Sequence, residues 1–457
     1  MKPTAHPGAK DAEAQSAANK PVSPALRRAC RIAGVLLLAA AVLFGSYRLF
    51  LDPYRGTVES FSFSQPLDQT LSKEQALDDL ALMMRYLEQR HPACIKGVPE
   101  DVSRRYRQEA EALPEKVTVL ELWRATAAVM ARVGDAHTGV GYMTQDPSRL
   151  PAEFEMQGGV LYMLLEDQPA RVLEIGGMPP QTLFEAFADR FSYEQESYAH
   201  YRFAQRLAYR AHLAFMGVQT AGDGVEITYE TPEGRQSALY AFALPDEDDA
   251  ARQEPFVSYE IDAGQGLGTL YLRACVYDDE YRFVLKDFFT QVKRDGIGHV
   301  AVDLRGNGGG NSRVIDEFMR YLNVDMYYTY GGVDVRYGPY LWKNARREKH
   351  NRRYDDLTFG GEVYALTSVD TFSSALDFAT AIQDNGIGRI IGETPGGMPA
   401  TYGDVLRFQL PESGLAVSVS YKYFGRIDQQ KSHLPLIPDI SCDAREAYGV
   451  LLDYIPD

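Results

Sequence analysis

The chain has 457 residues, with 47 Lys and Arg against 63 Asp and Glu and a formal charge of −16. That length exceeds one typical domain, so two or three folded units are expected, and the acidic balance works against sequence-independent binding to nucleic acid or to an anionic membrane surface. The four cysteines, Cys30, Cys94, Cys275 and Cys442, stand far apart without CxxC spacing, which argues against a zinc site and a disulfide-dense scaffold and leaves one bridge open.

Residues 1–26 are rich in Ala, Pro, Lys and Ser, and Arg27, Arg28 and Arg31 then lead into IAGVLLLAAAVLFGSY (32–47) before Arg48. The uncharged run is short for a spanning helix but reaches the required length if Leu49, Phe50 and Leu51 contribute while Arg48 snorkels. Basic residues ahead of it keep the N-terminus cytoplasmic and send the rest outward. A cleaved signal peptide is the competing reading; the long preceding tail and the poor AxA site favour an uncleaved anchor. Cys30 precedes the run, so no lipoprotein cleavage site is indicated. The expected order is a cytoplasmic tail (1–26), one transmembrane signal-anchor (27–51) and a linker (52–72), in a single-pass cell-membrane protein whose C-terminal domain lies outside the cytoplasm.

Residues 73–149 read as a helical subdomain. KEQALDDLALMMRYLEQRH (73–91) and VTVLELWRATAAVMARV (117–133) carry apolar residues at helical spacing, Pro92 and Gly97 interrupt between them, and the segment ends in the loop GDAHTGVGY (134–142). Residues 150–255 mix strand-like GVLYMLL (159–165) and GVEITYET (224–231) with helical PQTLFEAFADRF (180–191), and acidic PDEDDAARQE (245–254) reads as a solvated linker. The aromatic-rich stretch 193–215 reads as a helix packing its rings. From 256 to 457 strands and helices alternate: GTLYLRA (268–274), a helix over 281–296, HVAVDL (299–304), a helix after Asn311, VYALTSV (363–369), a helix after Ser373 and RIIGE (389–393). Such alternation predicts an α/β core with a largely parallel, buried sheet.

Two segments carry chemistry. RGNGGGN (305–311) follows an apolar strand; it lacks the GK[ST] of a phosphate loop and has Asn at 311 where GxGxxG needs Gly. Three consecutive glycines there suit a backbone that must approach a ligand closely. The second segment delivers Ser373 and Ser374 to a helix start. Serine at such a position is most often an N-cap, but a strand-to-helix turn also exposes a hydroxyl beside unpaired N–H groups and the positive end of the helix dipole. Together the two segments suggest acyl transfer.

DLRGNGGG (303–310), TFSSALDF (371–378), QDNGIGRIIGETPGG (383–397), LIPDI (436–440) and GDAHT (134–138), in this order and spacing, resemble the C-terminal processing and tricorn-type serine peptidases. The resemblance implies a crotonase-like (ClpP-like) α/β core, preceded here by the helical subdomain and by a mixed α+β region where many relatives carry a PDZ domain. It implies Ser373 as nucleophile and an oxyanion hole from the N–H groups of Ser374, Gly308 and Gly309. One departure matters: the lysine of Ser–Lys members would fall in GETPGGMPATYGD (392–404), where Met398 stands. A methionine takes no proton, so that base is excluded at the usual position. The tricorn-like branch uses a histidine from the helical subdomain, which points to His137 as general base. The acid that would orient it falls before the Pro-Asp motif, where Asp428 is the nearest carboxylate; Lys422, Lys431 and His433 in that stretch read as surface residues, with Lys431 an outside candidate for a base.

The expectation is therefore a membrane-anchored serine endopeptidase acting on peptides or proteins, without cofactor or metal, since HExxH-type signatures are absent. A non-catalytic peptide- or ligand-binding protein on the same fold is the alternative from another class. An acyl-CoA enzyme shares the core but leaves GDAHT and the export segment unexplained.

Overall fold

The computed structural model describes residues 23–165, 168–220, 222–245 and 254–456. Most of the acidic stretch read as a linker, and residues 1–22 of the expected cytoplasmic tail, lie outside them. Two compact units separate between Arg55 and Gly56. In the first, the helix Pro24–Ser46 starts with Pro24 in its first turn and Ser23 capping the Leu26 N–H, and continues as a π turn over Tyr47–Leu51. At 28 residues the segment extends about 42 Å at 1.5 Å per residue, against about 30 Å of bilayer hydrocarbon. It is long and apolar enough to cross a membrane, a property that an anchor and a signal sequence share. Deleting residues 1–51 is expected to leave a soluble, folded protein, because the second unit has its own cores. Size-exclusion chromatography and circular dichroism check this, and reproducible insolubility beside a folded full-length chain in detergent would contradict it.

The second unit is a mixed α/β fold built around a six-stranded sheet. Its strands run in the order Ile440–Ser441, Gly388–Gly392, Glu362–Thr367, His299–Asp303, Leu267–Leu272 and Val257–Asp262, parallel throughout except for the last pair. Period-two alternation sends neighbouring side chains into different cores. Val300 and Val302 join Leu285 and Phe288 of the helix Asp279–Arg294 and Phe378 of the helix Ser374–Asp384, whereas Ala301 and Leu366 face Ala447 and Leu451 near the C-terminus. Both faces are covered, which is why these strands read as continuous apolar runs.

Helices Lys73–Arg90 and Val119–Ala131 each begin with a capping box, Ser72 with Gln75 and Thr118 with Glu121. A third helix, Glu100–Ala112, lies between them. Residues 153–241 form a five-stranded antiparallel sheet, with three helices inserted between its third and fourth strands. The stretch 193–215 is two helices, Glu196–Arg206 and Arg210–Met216, not one. The apolar faces of the helical region and of this insert share a core with Phe408 and Val417 of a second antiparallel sheet. All four cysteines are free, so the bridge left open by the sequence is not formed.

A buried ion pair fastens the end of the helix Ser374–Asp384. Arg426 donates from Nε and Nη2 to the Asp384 carboxylate at 2.9 Å each, and both side chains are almost sealed from water. Asp384→Ala strands a buried guanidinium, so it is expected to cost about 3–5 kcal/mol, read as a lowered unfolding midpoint. A midpoint unchanged from the parent would show that water or a neighbour replaces the carboxylate.

Candidate active site

Parallel pairing of His299–Asp303 with Glu362–Thr367 brings the C-terminal ends of both strands together. The turns that follow are laced to one another. Gly306 N donates to Ser368 Oγ (3.1 Å), Thr371 Oγ1 to the Leu304 carbonyl (2.9 Å), Phe372 N to the Asn307 carbonyl (3.0 Å) and Ser374 Oγ to the Gly310 carbonyl (2.9 Å). Gly309 (φ +100°) presses directly on the serine turn: a Cβ there would lie 2.7 Å from both the Ser373 Cβ and the Phe372 oxygen. Only glycine fits that approach.

Ser373 precedes the helix Ser374–Asp384 with φ 53° and ψ −126°, and its side chain caps no helix N–H. The ordinary N-cap role therefore does not account for it. A non-glycine residue in this region costs roughly 1–3 kcal/mol and persists only where its surroundings impose it; such a turn thrusts the hydroxyl clear of the backbone. Among the described residues the N–H groups of Gly308 and Ser374 have no protein acceptor, whereas Gly309 N donates to Asn307 Oδ1 at 2.8 Å. Asn307 is fully buried and donates in turn to the Leu272 carbonyl at 2.8 Å. Nearby Cys275 is buried, and burial pushes its thiol up to about 12, which leaves it unreactive.

His137 comes from the helical region. Its loop is held by the strand Gly139–Gly141, which pairs with residues 416–418, and by Thr138 Oγ1, which accepts from Ser420 N at 3.0 Å. The His137 ring lies 4.7 Å from the ring of Phe372, centroid to centroid. Both ring nitrogens are buried without a hydrogen-bond partner, so no Ser373–His137 bond is formed here. Nδ1 stands 3.6 Å from Asp135 Oδ1, an electrostatic contact too long for a hydrogen bond. Asp135 is fully buried, accepts from the His137 backbone N–H (2.9 Å) and sits 3.2 Å from His91 Nε2. Because His91 Nδ1 accepts from Ala93 N, the assigned tautomer puts the His91 proton on Nε2, facing Asp135.

Burial alone would lower the His137 pKa, but Asp135, with Glu194 and Asp377 further off, outweighs it and holds the value above normal. Burial would likewise raise Asp135, yet the contacts with His137 and His91 keep it well below the usual carboxylate range. Glu194, from the insert, accepts from Met398 N at 2.6 Å and from Thr401 Oγ1, and burial pushes its carboxyl up. One ligand atom each from Asp135, His137 and Glu194 lie within 4.8 Å of one another. That spacing suits a divalent cation and equally suits an imidazole flanked by carboxylates. Asp377, one turn along the helix from Ser373, is half-buried; its removal from water pushes it up to about 7, and it accepts from Tyr330 Oη at 3.2 Å.

Among the described residues, none of the other candidates from the sequence is hydrogen-bonded to the His137 ring. Asp428 pairs with Lys431 at 3.2 Å and accepts from Gln430 N, and it is not among the carboxylates that act on His137. Lys422 is paired with Asp404, and His433 is exposed. Asn307, His91, Glu194 and Asp377 were not legible as site residues; Asp135 was missed too, although it stands two positions before His137 in the same motif.

The sequence profile of peptidase family S41 matches residues 269–442. No curated protein matches the chain. Among solved structures, mature CPAF complexed with lactacystin is similar with a TM-score of 0.60 and 13% identity, covering 84% of this chain and 97% of that one. Mature CPAF alone gives 0.61 and 13%, covering 83% and 96%. The photosystem II D1 C-terminal processing protease gives 0.45 and 14%, covering 81% and 93%. At such identities the CPAF likeness establishes the fold. The profile match spans the glycine turn and both serines, so over residues 269–442 this chain is similar to peptidase family S41.

Proposed function

We propose that the protein is a membrane-anchored serine endopeptidase with its second unit outside the cytoplasm, using Ser373 as nucleophile and His137 as general base on a crotonase-like core. The observation that carries this is the Ser373 backbone, held at φ 53° and ψ −126° against the glycine turn beside two unpaired N–H groups. Ser373 Oγ attacks the scissile carbonyl carbon while His137 takes its proton. The resulting oxyanion is held by the N–H groups of Gly308 and Ser374 at the positive end of the helix Ser374–Asp384. Gly309 leaves the oxyanion set because its N–H is taken by Asn307; its part is to let the two turns meet. His137 returns the proton to the leaving amine, and water resolves the acyl-enzyme by the same route in reverse.

Asp135 takes the orienting place assigned from sequence to Asp428, since it is the carboxylate against His137. A turn of the imidazole, or a small shift of loop 134–142, completes the hydrogen bond to Ser373, as is common between apo and substrate-bound sites. Labelling of the full-length chain by a fluorophosphonate tests the proposal. Absence of labelling at Ser373 favours the non-catalytic binding protein instead.

A further inference from the structure

A cavity of about 1500 Å³ opens beside the site, walled by residues 149–159, by the helix Glu196–Arg206 and by core residues 368–370 and 443–445. Its charged groups are unevenly matched. Arg445 is taken by Asp443 at 2.8 Å and Glu155 at 3.5 Å, and Asp370 accepts from Tyr201 Oη and Ser368 Oγ. Arg202 and Arg206, one turn apart on the same helix, have no carboxylate and no hydrogen-bond acceptor among the described residues. Arg202 Nε is buried without a hydrogen-bond partner, and its guanidinium stands 5.9 Å from the centre of the Tyr198 ring. Burial and the charge of Arg202 push Arg206 down to about 10, the mark of a cation lacking its counter-ion.

Two like charges at i and i+4, both lining one cavity and one partly desolvated, cost stability unless something outside the chain pairs them. A planar carboxylate matches the guanidinium fork. The position of the pair is informative too. Tyr198, one turn before Arg202, stacks on Phe372 at 4.7 Å and 3°, and Phe372 adjoins Ser373. At 1.5 Å per helical residue, Arg202 and Arg206 lie about 6 and 12 Å beyond Tyr198, the reach of roughly two to four residues of extended peptide.

We propose that Arg202 and Arg206 form an anion site for a peptide carboxylate, from an acidic side chain or a chain terminus, two to four residues from the cleaved bond. The assignment to a substrate rests on the peptidase reading; the anion site itself does not.

The test uses the full-length chain carrying Ser373→Ala, in detergent, titrated with three labelled hexapeptides. One contains Glu and is amidated, one is neutral with a free C-terminus, and one is neutral and amidated. At least one carboxylate peptide is expected to bind about tenfold or more tightly than the neutral amide, and the peptide that does so identifies the source. Arg202→Gln with Arg206→Gln should remove that margin, and Arg206→Lys should keep part of it. Without ligand, Arg206→Gln should raise the unfolding midpoint, because an unpaired charge is removed; a purely structural arginine would lower it. Equal binding of all three peptides, or a margin that survives the double substitution, overturns the site. Fluorophosphonate labelling of the wild type reports separately on the peptidase: a carboxylate margin without labelling sinks that reading and leaves the anion site standing.

Discussion

Ser373→Ala is expected to abolish both peptide hydrolysis and fluorophosphonate labelling, whereas Ser374→Ala retains substantial activity. The two hydroxyls differ in employment. Ser373 Oγ stands on a strained turn and caps nothing, while Ser374 Oγ donates to the Gly310 carbonyl at 2.9 Å. Removing the latter costs about 1 kcal/mol as a lost hydrogen bond and leaves the Ser374 backbone N–H, its proposed contribution, in place. Alanine at 373 keeps the fold but removes the atom that forms the acyl-enzyme, so residual turnover should fall to what binding and the oxyanion donors alone provide. Active-site labelling followed by peptide mapping, together with hydrolysis rates, checks both variants. Equal loss at both positions would reassign the nucleophile or reveal that the Gly310 contact holds the turn.

His137→Ala should lower kcat by about 10²–10⁴-fold, the range for a positioned acid–base group, while Lys422→Ala and Lys431→Ala have small effects because both lysines are engaged with Asp404 and Asp428. The pH profile gives the sign. A general base must be neutral, so activity rises as pH climbs through the His137 pKa. Asp135 favours the imidazolium and holds that pKa above normal; the acidic limb of kcat/KM should therefore lie above the roughly 6.5 of free imidazole. Asp135→Asn removes the stabilising charge, and the limb should move to lower pH while kcat falls. His91 also loses its carboxylate in that variant, so its unfolding midpoint must be measured alongside. A fully active His137→Ala enzyme would remove His137 from the chemistry and turn attention to a lysine base from the 422–431 segment. A limb that stays put in Asp135→Asn would assign the electrostatic role to Glu194 or Asp377.

From residue 256 onward the alternation of apolar runs with amphipathic helices determined the parallel sheet, because strands covered on both faces leave a continuous apolar trace and helices a periodic one. The helix starts at Ser72 and Thr118 were equally local matters, each settled within four residues. So were the glycine turn and the serine at a strand-to-helix junction, whose demands on φ and on close approach act within a few positions of chain. Tertiary structure alone decided which groups are already spent. Gly309 looked as free as Gly308 until Asn307 was found to occupy its N–H, and Asp428 looked the nearest carboxylate before the Pro-Asp motif until it was found paired with Lys431. Glu194 reaches the 398–401 segment from the insert, and Arg202 and Arg206 stand without a carboxylate partner among the described residues, for the same reason. A buried donor or charge is satisfied by whatever distant element packs against it, and residue spacing along the chain carries no record of that packing.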